Sequence, residues 1–421
     1  MKFQQPMLFL GLGGTGCEVG AQLERRFREE ICGPDGTRLA ADSRHTRTYE
    51  PYELPSFLQF IYADLDLPEL VEKRRTAVPG GGHEIAARKT AHVMTDLVPP
   101  KLGNSRDVSE SLRNSLDSSV IDWLPPIETD PRRGPLNHGA GQFPTVARAV
   151  LFETLRQNPD AATGAITRAI DAINTSGAEL ASFGARLERS CSVFVVFSVA
   201  GGTGSGLCYD YLHLVGNAMQ QRDLVPTIIP LVLLPSAFPV GSGGGRAAEL
   251  NAGSSLIDLF RLIDSLVSRD QGRDIGPRGR STSTEVRYPG KSVRLAANQI
   301  QTAYLFGHHS GAARKQDLHR AMVEMMLTLT GAVPQGPDDV ERDDEAVQPR
   351  YESGAINRVD IADRSPTGAG RRTVATSAVA SMTVPVDELL DIVSSRLLAE
   401  GVRILDDAPA AESNDPEIEV F

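Results

Sequence analysis

An uncharged run, Ser192-Val-Phe-Val-Val-Phe-Ser-Val199, leads directly into Ala200-Gly-Gly-Thr-Gly-Ser-Gly206. Continuous β-branched and aromatic residues suit a strand buried on both faces, as in a parallel sheet. Beyond the glycines the pattern becomes helical to Gln221, with Leu207, Tyr211, Leu214, Val215 and Ala218 on one face. A buried strand that passes through glycines into a helix commits the chain to an α/β fold. The glycine turn leaves successive backbone N–H groups pointing outward, an anion cradle suited to a polyphosphate. A tight turn without a ligand is the alternative. Against it, the four glycines around Thr203 and Ser205 cost more backbone entropy than a turn needs.

A second loop of this kind opens the protein. Met7-Leu-Phe-Leu10 reads as the first strand, followed by Gly11-Leu-Gly-Gly-Thr-Gly16 and a helix from about Glu18 to Glu29. Gly11, Gly13 and Gly16 have dinucleotide-fingerprint spacing, which also expects an acid about 20 residues on. Here the next strand-like run with a terminal acid, 57–66, comes later than that. A Rossmann oxidoreductase would also leave the loop 201–206 unexplained. Two phosphate-type loops fit a nucleotide held between them.

Along the chain the pattern alternates strand and helix, which predicts a mostly parallel sheet covered on both faces. Strands are expected near 7–10, 57–63, 192–199, 226–234 and 302–306, and helices near 17–29, 145–157, 163–174, 207–221, 247–268 and 314–331. Region 80–144 is rich in Gly, Pro and charge, and residues 270–290 read as a surface excursion. Gly241-Ser-Gly-Gly-Gly245 is either a linker or a lid over a ribose. Residues 335–345 carry Asp338, Asp339, Glu341, Asp343, Asp344 and Glu345. They read as part of a solvated insertion over 334–372, without the glycine and spacing of a calcium loop. A strand (374–384) and an amphipathic helix (386–399) follow, then an acidic tail. The expected organisation is a nucleotide-binding domain over 1–333 with its central helix at about 314–331, the insertion, a strand–helix unit over 373–402, and an unstructured tail over 403–421.

The net charge of −11 argues against a nucleic-acid surface. No run has the apolar length of a membrane span and no export signal precedes the first strand, so the expected location is the cytoplasm. Cys17, Cys32, Cys191 and Cys208 lack metal spacing, and neither zinc nor disulfides are expected. Cys17 and Cys208 begin helices, where a thiol pKa can fall; the alternative is a small buried hydrophobe.

Gly201-Gly-Thr-Gly-Ser-Gly206 resembles, letter for letter, the signature loop of the tubulin/FtsZ superfamily of polymerising GTPases. Asp64-Leu-Asp66 is similar to its Asp-Leu-Glu loop near metal and phosphates. Gly139-Ala-Gly-Gln142 is similar to the Gly-Ala-Gly-Asn loop around the terminal phosphate. Asn251-Ala-Gly-Ser-Ser-Leu-Ile-Asp-Leu259 is similar to the helix after the ribose-side loop. The arrangement is closest to divergent bacterial tubulin-like proteins, over about 1–333 and more weakly over 376–400.

The resemblance implies GTP or GDP with Mg2+. It implies nucleotide contacts from Gly11, Gly13, Gly14, Thr15 and Gly16, from Gly139, Ala140, Gly141 and Gln142, and from Gly201, Gly202, Thr203, Gly204, Ser205 and Gly206. Asn251 joins them at the ribose side. Asp64 and Asp66, on alternate positions of one loop, would hold the metal through water, or simply end a strand. His308 and His319 stand where the family reads the purine with Asn. A histidine cannot make an amide's paired donor–acceptor contact, so guanine preference is inherited by resemblance alone. For His308 and His309 the alternative is a polar loop.

Glu388, in Met382-Thr-Val-Pro-Val-Asp-Glu388, overlies the final acid of the family's catalytic loop, which acts on a neighbouring subunit's nucleotide. The alternative is an acid favoured by a helix N-terminus. The implied function is slow GTP hydrolysis completed on self-association. A non-polymerising nucleotide-dependent switch or scaffold, recruiting a partner through the acidic insertion or tail, is the second reading. Few residues follow Glu388, where the family continues with a second α/β domain.

Overall fold

The computed structural model describes residues 3–331 apart from 4, 44, 46, 76, 79–87, 116, 122, 127–134, 186–188, 242, 271–284, 297–298, 301 and 309–313, together with 374–375 and 386–406. Seven strands form one sheet. In chain order the strands are β1 (Met7–Leu12), β2 (Leu58–Ala63), β3 (Ala91–Val93), β4 (Ser190–Ser198) and β5 (Val225–Leu233), then a separate hairpin of β6 (Glu285–Tyr288) and β7 (Lys291–Arg294), then β8 (Ala303–Phe306) and β9 (Val374–Ala375). The sheet order is β3-β2-β1-β4-β5-β8-β9, every neighbouring pair parallel. Met7 pairs with Leu58 on one side and Ser192 on the other, so β1 and β4 lie side by side at the centre.

Side chains of a strand alternate between faces. Phe9 and Phe60 pack with Leu23, Phe27 and Met326 in one core layer, while Leu8 and Leu10 pack with Val150, Ile170 and Leu212 in the other. The first layer is covered by α1 (Gly13–Cys32), and the loop after β2 leads into α2 (Leu67–Arg74). After α3 (Ser105–Asn114), the second layer is covered by α4 (Pro144–Gln157), α5 (Pro159–Thr175) and α6 (Gly202–Gln220). Next come α7 (Arg246–Asp270) and the central helix α8 (Lys315–Thr330), which returns to the α1 face. This is the expected α/β architecture with helices on both faces.

The strands run outward from the centre in both directions: β1 to β2 to β3 one way, β4 to β5 to β8 the other. The junction of β1 and β4 is therefore the topological switch point, where open α/β sheets bind ligands beyond their strand ends. Both glycine loops leave the sheet there.

Some details depart from expectation. Helices α1 and α6 begin at Gly13 and Gly202, so the glycines form first helical turns instead of free loops. Strand β3 and the hairpin were not anticipated. The hairpin occupies part of the supposed surface excursion, and its Val286 and Tyr288 join the second core layer. All four cysteines are buried and free. Burial pushes the Cys17 thiol well above its ordinary value and Cys208 up to about 12, so neither helix start activates its thiol.

Contacts divide the chain into two units, 1–378 and 379–421. The described part of the second is α9 (Val386–Asp406), which runs past the expected start of the tail at 403. The insertion 334–372 lies outside the described residues, as does 376–384 of the expected last strand. Among the described residues, no helix is long and apolar enough to cross a membrane.

Candidate functional site at the sheet switch point

The glycines of the two loops divide into two kinds. A Cβ built on Gly13, whose φ is +68°, would lie 2.9 Å from the Gly204 amide nitrogen. One on Gly204 would meet the Leu12 and Ser198 carbonyl oxygens at 3.0 Å, and one on Gly11 the Gly16 oxygen at 2.6 Å. Gly16 and Gly206 likewise press on backbone of β4 and of the α4 start. A Cβ on Gly202 would fall 2.5 Å from the Gly141 oxygen, which accepts the Gly202 N–H at 2.7 Å. These glycines let the loops pack backbone to backbone, so their smallness is spent on the fold and not on ligand approach.

Three others face outward. Nothing lies within 4 Å of a Cβ on Gly201, and one on Gly139 reaches only the Thr203 hydroxyl and Asp66 Cβ, both at 3.9 Å. One on Gly14 would meet Lys73 Nζ at 2.5 Å, Glu69 Oε1 at 3.6 Å and Asp64 Oδ2 at 3.8 Å. Helices α1 and α6 start beside these faces with no side-chain cap at Leu12 or Gly201. Their first-turn N–H groups have no partner within the helix, and an anion complements them. Thr15 and Ser205 are buried within these turns, the Ser205 hydroxyl donating back to the Gly201 carbonyl.

Asp64 directly follows β2 and is 5% exposed. Burial raises its carboxyl to about 6, against the opposing Asp66 and Leu65 amides and the Thr203 hydroxyl, while Glu69 adds to the rise. The Thr203 bond ties the acidic loop to the signature loop. Asp66 is differently employed: its carboxylate caps α2 by accepting the Glu69 N–H at 2.9 Å. The two acids thus do not act as a matched pair. Among the described residues no group of three or more His, Cys, Asp or Glu could hold a metal. One carboxylate beside two uncapped helix starts still fits Mg2+, which keeps most of its waters and takes few protein ligands.

The loop 139–142 reaches the other side of the cradle. Ala140 is buried, Gln142 Nε2 donates to the Gly243 carbonyl at 3.3 Å, and Asn251 Nδ2 donates to the Gln142 carbonyl at 2.9 Å. The glycine run before α7 is thereby tied to this loop.

Toward β5 and β8 the character changes. His308 follows β8, its backbone N–H donating to Ser236 Oγ at 3.3 Å. His309 lies outside the described residues. His319 is fully buried, its Nδ1 3.5 Å from Glu18 Oε1, and Lys315 Nζ donates to Glu18 Oε2 at 3.0 Å. Burial raises the Glu18 carboxyl, but His319 and Lys315 outweigh it and hold the group at about 2. Lys315 also stands 5.5 Å from the Phe238 ring centre. His319 therefore sits behind Glu18, and Glu18 presents the polar atoms. Sequence reasoning missed Glu18, Lys73 and Lys315. Position supplied a signal for Glu18 only, two residues beyond Gly16. Glu388 is the third residue of α9, in the second unit.

The tubulin-like family model ("Tubulin like") matches residues 8–403. Among solved structures, the chain is similar to a helical model of the TubZ-Bt two-stranded filament, at 11% identity and TM-score 0.36, covering 81% of this chain and 57% of that one. It is similar also to a GTPγS-form TubZ protofilament from Bacillus thuringiensis serovar israelensis, at 12% identity and TM-score 0.35, covering 81% and 60%. The chain thus spans less than two thirds of the length of these structures. No curated protein matches it.

Proposed function

The chain belongs to the tubulin-like family, and from that membership we propose that it binds a guanine nucleotide at the β1–β4 switch point and hydrolyses GTP when copies associate. The observation that carries the reading is the pairing of two uncapped helix starts with the open faces of Gly139 and Gly201. Backbone amides there would take the phosphates, with Thr15, Thr203 and Ser205 beside them. Gln142 would stand with its loop at the terminal phosphate, Asn251, bonded to it, would border the ribose, and the Glu18, Lys315 and His308 end would border the base. Asp64 would hold a Mg2+-bound water. Neither glycine loop contains a His, Asp or Glu to serve as a base. The acid would come from Glu388 of another copy, orienting water while amides stabilise developing charge.

Gly201 provides the test. Its φ of −88° and ψ of 170° suit any L residue, and a Cβ there touches nothing. Gly201→Val should leave thermal stability near wild type yet weaken GTP and GDP binding about tenfold or more, some 1.4 kcal/mol. Wild-type affinity in a folded Gly201→Val protein would remove the cradle from this site. Gly204→Val is no substitute, since its Cβ would strike backbone oxygens.

A further inference from the structure

Lys73, eight-residue α2's penultimate position, plays no part in the reading above, yet its ammonium is the side-chain atom nearest to the outer face of Gly14. It is held there by Glu69, one helical turn back, at 2.5 Å. Resting on the nucleotide reading, we infer that Lys73 discriminates nucleoside triphosphate from diphosphate, leaving Glu69 to pair with the terminal phosphate.

Three observations carry this. The first is position. The two glycine loops stand at the centre of the sheet, the aromatic and histidine-bearing end lies toward β5 and β8, and α2 follows β2 on the opposite side. A nucleotide with its base at the first end and its inner phosphates over the loops directs its outermost phosphate toward α2. The second is charge. Asp64 Oδ2 and Glu69 Oε1 both lie near the Gly14 face, so an arriving phosphate meets two carboxylates. Backbone amides offer only partial charge, and a Mg2+ ion at Asp64 would still leave the Glu69 carboxylate opposed to the phosphate; the Lys73 ammonium supplies a full charge at that point.

The third is the cheapness of the tether. Glu69 is about half exposed, and an i,i+4 pair of this kind is worth only a few tenths of a kcal/mol. A dianionic phosphate at the same distance outcompetes it. Because Arg74 on the next position is anchored to buried Glu24 of α1 at 3.0 Å, the helix stays in place while the ammonium changes partner.

Affinities for GDP and for a non-hydrolysable GTP analogue, both with Mg2+, test the inference in the wild type, Lys73→Gln, Lys73→Arg and Glu69→Gln. Lys73→Gln should weaken the triphosphate analogue about tenfold or more, the loss of one charge-assisted contact, and GDP less than about threefold. Lys73→Arg should keep the preference for triphosphate. Glu69→Gln, which removes a competitor, should raise the ratio of triphosphate to diphosphate affinity. Equal losses for both nucleotides in Lys73→Gln, or an unchanged ratio in Glu69→Gln, overturn the assignment. If Lys73→Gln does not fold, Glu69→Gln decides, since it alters only the half-exposed carboxylate. A wild type that binds neither nucleotide overturns the nucleotide reading itself, an outcome distinct from binding without discrimination.

Discussion

Glu18 illustrates how one side chain's surroundings decide its chemistry. Burial alone would favour its neutral form, but His319 and Lys315 hold it ionised, at about 2 against an ordinary 4.5. A carboxyl lowered on folding contributes stability that is fully present above the unfolded value and is lost as pH falls through the folded one. Glu18→Gln should therefore cost on the order of 1–3 kcal/mol at neutral pH and nothing at the acid extreme. Urea unfolding followed from neutral pH downward checks this: the two stability curves should converge between pH 4.5 and about 2. Parallel curves would show that Glu18 contributes no such linkage. The same logic explains Cys17, where desolvation, with Asp64 adding to it, outweighs the nearby Lys73 and Arg74 cations.

Elements are joined across the site by buried charge. Glu24 of α1 accepts from Arg28 at 2.8 Å, from Arg74 of α2 at 3.0 Å and from the Tyr62 hydroxyl of β2. Arg28, itself fully buried, also donates to the Tyr52 and Ala77 carbonyls at 3.1 and 3.0 Å. The first glycine loop and the acidic loop thus share one anchor. Removing its anion would leave buried guanidinium charge uncompensated, which costs about 3–5 kcal/mol. Glu24→Ala should lose that much in equilibrium denaturation. A loss under about 1 kcal/mol would mean that water or another carboxylate replaces Glu24.

At the scale of the whole molecule, the proposed placement of Glu388 makes catalysis a property of more than one copy. Turnover per chain should rise with protein concentration and fall on dilution. Glu388→Ala should bind nucleotide like wild type, hydrolyse it poorly, and recover part of its activity when mixed with a binding-deficient Gly201→Val chain. Specific activity that stays flat on dilution, with Glu388→Ala fully active, would favour a nucleotide switch that acts alone. The charge of −11 adds a condition: like-charged copies repel, so association should strengthen as salt screens them.

Local pattern carried much of this protein. The apolar runs of β1 and β4, the glycines after them and the periodic helices that follow all lie within short windows, so the sequence by itself determined the α/β class, the central strands and the two loops. Helices at 144–157 and 315–330 fell within a residue or so of expectation for the same reason. Three-residue β3 and the four-residue strands of the hairpin are too short for periodicity to register. Strand order, and with it the switch point, depended on pairings between β1 and strands far along the chain. Which glycines serve packing and which face outward was likewise set by backbone arriving from β4 and α4. His319 is placed at the base by resemblance, where the family's central helix carries Asn, and only the approach of α1 buries it behind Glu18. Lys73 had no motif at all; its place over Gly14 exists because β2 lies beside β1 and α2 follows it. Periodicity reports which face of an element is buried, whereas a site is made where separate elements meet, and that meeting is fixed by long-range hydrogen-bond register and core packing.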